Sequence, residues 1–354
     1  MRTILLSLFL VVIGQSNAAH AQSDVPELMP QITVKPAVEV KAWGFDPATQ
    51  KYAHTPSVEE IRKEALAGNA VAQFMMSNMY AYGLHGQTVN ASEVIRFLTL
   101  SANQGYLPAI KNLAQSYMMG SLVAKNLDKA IQLFYVAAEA GDVWSMSQLG
   151  SLYQLSGFGQ SPGERQKNWD QAIYWYTRAA DKGDVIGLYN LANAYKAAEP
   201  AKSVDLFKRL VASDDAGMMY ASAVEGLADL YYSYADQGIA QNLPEARRLS
   251  EIAANLDDPA AQHRLGVMYY EGEGVERDDL KAYSWLKLSA ANNDPEGVED
   301  YQTVSDQITP ALMKQVDENI SRLRERIAAN VAERKARYEK IMGAKGVTVI
   351  FPGQ

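Results

Sequence analysis

The sequence predicts an all-α solenoid of about six helix–turn–helix repeats, closed by a long C-terminal capping helix. Two recurrences and one count predict it. The first recurrence is an aliphatic residue, a small one, two variable positions and Tyr: Met76-Ser77…Tyr80, Leu113-Ala114…Tyr117, Leu149-Gly150…Tyr153, Leu191-Ala192…Tyr195, Leu227-Ala228…Tyr231 and Leu265-Gly266…Tyr269. The second places a small residue, bulky apolar groups three and four positions later, a small pair, and then Gly, Asp or Asn. It is clearest in Ala130…Leu133-Phe134…Ala137-Ala138…Gly141 and Ala172…Trp175-Tyr176…Ala179-Ala180…Gly183, and recurs toward Asp257 and Asn293. The count is twenty Tyr against eight Phe, with no Cys, in 354 residues.

Arg2, an apolar run from Ile4 to Ile13 and the sequence Ala19-His20-Ala21 make the three-part pattern of a secretory signal peptide over residues 1–21. The run is too short to span a bilayer; an uncleaved interfacial anchor is the alternative. Residues 22–60 are punctuated by Pro, with an alternation through Ile32, Val34, Val38 and Val40, and read as an extended segment. A linker and a strand that augments a partner's sheet are its two readings.

Residues 61–293 carry the repeats. Their tyrosines are spaced 37, 36, 42, 36 and 38 residues apart. Steps of three and four place each pattern on one helical face, and the terminal Gly, Asp or Asn stops the second helix in a left-handed turn. One pair of helices cannot cover its own apolar face and must stack on its neighbours. The repeat tyrosine places its ring between helices with its hydroxyl at the edge, which accounts for the composition. The third repeat runs long, and Ser156–Glu164 is expected as an exposed loop. The fourth is short, with eight residues from Tyr195 to Ser203.

The segment Ala261-Gln-His-Arg-Leu-Gly-Val-Met-Tyr-Tyr-Glu-Gly-Glu-Gly-Val275, followed by Lys281-Ala-Tyr-Ser-Trp285, resembles the Sel1-like repeats, relatives of the tetratricopeptide repeats. The resemblance implies a right-handed α-solenoid with a concave, partner-binding face lined by the first helix of each unit. Its lining positions fall on Phe74, Asn78, Lys111, Gln115, Met118, Ser147, Ser151, Gln154, Tyr189, Asn193, Lys196, Glu225, Asp229, Tyr232, His263, Val267 and Tyr270, with Trp144 near the start of its helix. Tyr189, Tyr232 and Tyr270 are the anchor candidates; packing between helices is the other reading of these three.

Residues 294–345 form the C-terminal cap. Ile308, Leu312, Val316, Ile320, Leu323 and Ile327 make an apolar stripe, and Thr309-Pro310 is a cap and first-turn pair. Between Ala311 and Lys345 nine basic residues stand against five acidic ones. A solvated helix face and docking on an anionic surface are the two readings of that excess. In the tail, 346–354, Val347-Thr-Val-Ile-Phe351 is β-prone and expected to be covered or used, with Ile32–Val40 as a candidate strand partner.

Chemistry-bearing patterns are sparse. The absence of Cys removes disulfides, thiolates and Cys-ligated zinc. Four scattered His, a net charge of −8 and no phosphate-cradling glycine loop point to no cofactor, no metal and no nucleic-acid partner. Ser284-Trp-Leu-Lys287 matches a serine-enzyme spacing but falls inside a repeat helix. Asp257-Asp258 and Asp278-Asp279 sit at helix starts, where they complement the helix dipole.

The sequence therefore predicts a non-catalytic, exported repeat protein, periplasmic or secreted, without a transmembrane span. It acts as an interaction scaffold or regulator on another envelope protein. The alternatives are a peptidoglycan- or β-lactam-interacting enzyme, which the resemblance ties to disulfide-clamped relatives, and a module binding a polysaccharide. Expressed in a Gram-negative host, the exported chain is expected to begin at Gln22; N-terminal sequencing that returns Met1 contradicts cleavage.

Overall fold

In each repeat, the first helix ends where its last carbonyls have no intrahelical donor, and the second begins where its first N–H groups have no acceptor. In four of the repeats the sequence solves both problems with one residue. Asn90, Asn126, Asn242 and Asp278 donate their backbone N–H to the carbonyls of Tyr80, Tyr117, Tyr231 and Tyr269 at 2.9 to 3.2 Å. The same four side chains accept from the first turn of the helix that follows.

The computed structural model describes residues 2–3, 56–156, 161–217, 219–234, 239–344 and 347–348. The signal peptide beyond Thr3 and the Ile32–Val40 alternation lie outside the described residues. The chain divides into two units, Phe9–Asp184 and Val185–Gln354 with Met1–Leu8.

The first unit holds α1 (Val58–Leu66), then the pairs α2 (Ala70–Tyr82) and α3 (Ala91–Asn103), α4 (Leu107–Met119) and α5 (Leu127–Glu139), and α6 (Val143–Ser156) and α7 (Pro162–Asp181). Ile95, Leu98, Ile110, Leu113, Phe134, Met146 and Leu149 are buried in one continuous core. Two sequence expectations are corrected here, both by the same device. Residues 58–60 are helical, not extended, because Ser57 and Glu60 form a capping box that starts α1. Ser161 and Glu164 form another, with Pro162 at the first helical position. From Pro162 onward the expected loop is instead the exposed first turn of a 20-residue α7, while its residues 157–160 lie outside the described residues.

The second unit holds α8 (Val185–Ala198) and α9 (Pro200–Ala212), α10 (Met219–Ser233) and α11 (Leu243–Ala254), and α12 (Pro259–Glu271) and α13 (Asp279–Ala291). They are followed by α14 (Pro295–Ser305) and α15 (Pro310–Ala344). A single residue, Glu199, separates α8 from α9, so the short fourth repeat turns without a loop. The second helices stop as the sequence predicts: Gly141, Gly183, Asp257 and Asn293 all have positive φ. Asp257 and Asn293 hold φ of 68° and 61° without being glycine, a conformation that Asp and Asn tolerate better than most residues.

The helix α15 does more than close an end. Its stripe is buried at Val316, Ile320, Leu323 and Ile327, while Ile308 and Leu312 are half-buried. Thr309 caps it, accepting from the Leu312 N–H at 3.2 Å. Asn319 donates to Ser284 in α13, Asn330 to the Asn255 carbonyl after α11, and Arg334 lies over the Tyr220 ring in α10. The helix thus ties the last two pairs together. Val347–Thr348 forms a two-residue parallel ladder with Arg2–Thr3, while its candidate strand partner Ile32–Val40 lies outside the described residues.

At Gly150 and Gly266 the small position of the first pattern is a contact point between paired helices. A Cβ built on Gly266 would stand 2.6 Å from Leu286 Cγ and 3.1 Å from its backbone nitrogen. Gly163, in the exposed first turn of α7, has nothing within 4 Å. Gly266→Ala is expected to lower stability by about 1–3 kcal/mol, and Gly163→Ala to leave it unchanged or raise it by about 0.5 kcal/mol. Thermal unfolding of the two variants checks the pair.

Candidate functional site

The expected binding residues lie on the first helices of both units, and the two units use them differently. In the second unit they are largely spent on one another. Lys196 of α8 pairs with Asp229 of α10 at 3.0 Å, and Arg264 of α12 reaches Asp229 at 2.9 Å and Glu225 at 2.7 Å. Four charges on three successive first helices thus form one network. Arg264 stacks over Tyr232, whose hydroxyl bonds Glu273. His263 Nε2 lies 2.7 Å from Asp300 in α14. Tyr189 packs edge-on against Phe207, and Asn193 donates to the Tyr189 carbonyl. Tyr270 packs beside Tyr283 under the Arg277 guanidinium. The three tyrosines proposed as anchors are therefore half-buried and engaged within the unit.

Glu225 is the most perturbed member of the network. Burial pushes its carboxyl up to about 7, against the pull of Arg264 and with help from the negative charges of Asp258 and Asp229. Its Oε1 takes both Arg264 bonds, and its Oε2 has no partner among the described residues. Asp229 is held low: Lys196 and Arg264 together outweigh its burial. Arg264 is raised, because Glu225 and Asp229 outweigh the cost of its own burial.

In the first unit, several of the same positions are also occupied. Lys111 pairs with Asp142 at 2.8 Å and lies near the Trp144 ring, which packs edge-on against Phe134. Ser147 donates to Asp184. The Tyr176 hydroxyl is 3.0 Å from Gln154 Oε1, and Phe74 packs on Tyr106. Met118 is half-buried against the core.

Asn78 and Gln115 are different. With Asn112 they line a pocket of about 210 Å³ between α2 and α4, and none of the three side-chain amides has a hydrogen-bond partner among the described residues. Ala81, Val94, Leu98 and Leu122 give the pocket an apolar floor; Ser77, Ser116, Ser121 and Met119 complete its walls. Met119 is exposed. The arrangement presents paired amide donors and acceptors over an apolar base, with no ionisable side chain in the lining. That suits an extended peptide, whose backbone offers the complementary N–H and C=O groups.

Sequence reasoning found Asn78 and Gln115 but missed Asn112 and Arg264. Both missed residues stand immediately before the aliphatic position of their repeats, at Leu113 and Leu265. That position is three residues before one of the expected lining positions, so it shares their helix face. The remaining chemical motif dissolves on inspection: Ser284 donates to the Leu280 carbonyl and accepts from Asn319, and Lys287 pairs with Asp317 at 2.6 Å. Among the described residues no cluster of His, Asp and Glu could hold a metal ion, and no helix is long and apolar enough to cross a membrane.

Five segments, 70–106, 107–142, 145–184, 221–258 and 259–294, match the Sel1 repeat model. The pair left unmatched, α8 and α9, is the one without a connecting loop. A crystal structure of a protective antigen present in uropathogenic Escherichia coli strains, displaying an SLR fold, is 27% identical with a TM-score of 0.61. The match covers 84% of this chain and 61% of that protein's chain, so this chain spans less than two thirds of its length. A Sel1 repeat protein from Oxalobacter formigenes is 25% identical with a TM-score of 0.51, over 66% of this chain and 90% of that one. No curated protein matches the chain.

Folding raises the Glu225 pKa, so the protonated carboxyl favours the fold. Its contribution is complete below the ordinary carboxylate value of 4.5 and is lost as pH climbs through about 7. Glu225→Gln keeps the acceptor for Arg264 and removes the titration. Its melting temperature is expected to fall less than that of the wild type between about pH 5 and about pH 8. Equal slopes for the two proteins contradict the assignment.

Proposed function

Because the chain belongs to the Sel1 repeat family, whose members are typically non-catalytic scaffolds for protein–protein interaction, we propose that it is an exported bacterial envelope adaptor that captures an extended segment of a partner protein in the groove between α2 and α4. The observation that carries the reading is the amide set of Asn78, Asn112 and Gln115 over an apolar floor. A peptide laid along the groove exchanges water for these amides at little cost, while one apolar side chain fills the base. The equivalent face of the second unit has its charges paired within itself and offers less to a partner.

The support for export is the N-terminal signal pattern, which is of the kind that directs a chain to the periplasm or out of the cell. Against the enzyme alternative stand the engaged Ser284 and Lys287, which serve to dock α15. The absence of cysteine also separates the chain from disulfide-clamped relatives. Assembly work suits the architecture, since a stack of similar units holds a partner along its length without large rearrangement.

A photoreactive amino acid at Met119 is expected to crosslink a partner in intact cells, and the same group at Tyr174 on α7 is not. At about 1 kcal/mol per lost hydrogen bond, Asn78→Ala with Gln115→Ala should weaken that partner's binding roughly thirtyfold while leaving helical content intact. Unchanged affinity of the purified double variant for the crosslinked partner would remove the groove from the account.

A further inference from the structure

The second unit carries a pocket unrelated to the repeat pattern. It lies where the last turns of α15 pass the start of α10, has a volume of about 230 Å³, and is walled by Tyr220, Tyr338, Leu256 and Val331. Gly217 forms part of its edge, where the Tyr338 ring lies so close to the backbone that a Cβ would stand 2.9 Å from it. The charged side chains that line it are Arg334 and Lys335, both cationic.

Arg334 is the notable group. Its guanidinium lies 3.7 Å from the centre of the Tyr220 ring, half-buried, with no hydrogen bond or ion pair among the described residues. The nearby acid, Asp214, is engaged with Arg337 at 3.5 Å. Burial holds the Arg334 pKa below its ordinary value; Tyr220 and Asp214 pull the other way, and the neighbouring Arg337 adds to the depression. A planar fork of donors held against an aromatic ring, with no carboxylate bonded to it among the described residues, is arranged for one. The adjoining tyrosine and aliphatic walls favour an apolar group attached to it.

We propose that this pocket binds a carboxylate carried next to an apolar group, as in the C-terminal residue of a peptide or a small aryl-alkyl acid. The carboxylate sits on Arg334 within the positive field of Lys335, and the apolar group fills the space between Tyr220 and Tyr338. The excess of basic residues on α15 then has a local use: most of them face solvent, while these two line a pocket. The site belongs to the second unit and does not depend on the groove between α2 and α4.

The test is titration of the full chain, followed by NMR, with three probes: acetyl-Gly-Gly-Phe, its C-terminal amide, and 3-phenylpropionate. The expected result is that at least one acid binds, and that the amide binds at least tenfold more weakly than its parent acid. Arg334→Gln should erase the acid's advantage, while Arg326→Gln, exposed on the same helix, should preserve it. Helical circular dichroism and the melting temperature of both variants establish that they fold. Binding of acetyl-Gly-Gly-Phe alone assigns the pocket to peptide termini, and binding of 3-phenylpropionate as well extends it to small acids. Failure of both acids to bind, equal binding of acid and amide, or an acid preference that survives Arg334→Gln overturns the proposal.

Discussion

Four of the repeats are tied at one point, the carbonyl of the repeat tyrosine. At that point the first helix has run out of intrahelical donors, and the next helix must begin within a few residues. A capping residue whose N–H goes back to the tyrosine and whose side chain goes forward to the new helix fixes the turn. Once the turn is fixed, the bulky residues of the second helix fall onto the small residues of the first, as Tyr176 does on Gly150 and Leu286 on Gly266. The ring finishes the job from outside. Lys129, Lys202 and Lys281, at the starts of second helices, lie over the faces of Tyr117, Tyr195 and Tyr269.

Given a common scaffold, function depends on how each unit spends its polar groups. The second unit spends them inward, on the network of Lys196, Glu225, Asp229 and Arg264. A buried ion-pair network of this kind adds less stability than its attractions suggest, because desolvation offsets much of the gain. It links three successive first helices, α8, α10 and α12, to one another. The first unit leaves amides facing water at Asn78, Asn112 and Gln115, where a partner replaces solvent at small cost.

The repeats were legible because their determinants are local and periodic. Tyrosine spacing and the left-handed stops at Gly141, Gly183, Asp257 and Asn293 depend on residues near in sequence, and the structure holds all four stops. Capping boxes at Ser57 and Ser161 were equally local but lay outside the repeat period, so they were read as extended chain and loop. What could not be read was pairing across repeats. Nothing local shows that Arg264 will neutralise Glu225 39 residues away, or that Tyr232 will find Glu273. The aromatic positions that composition favours as anchors are therefore engaged internally, and plain amides at neighbouring positions remain open. The course of α15 is a similar case: its stripe predicts burial, but only the fold shows that it braces α10, α11 and α13 together.

Hydrogen–deuterium exchange of the full chain, with and without its crosslinked partner, tests the division between the units most directly. The account predicts that binding slows exchange in α2 and α4 and leaves α8, α10 and α12 unchanged. Slowed exchange confined to α8, α10 and α12, with α2 and α4 unaffected, would contradict it.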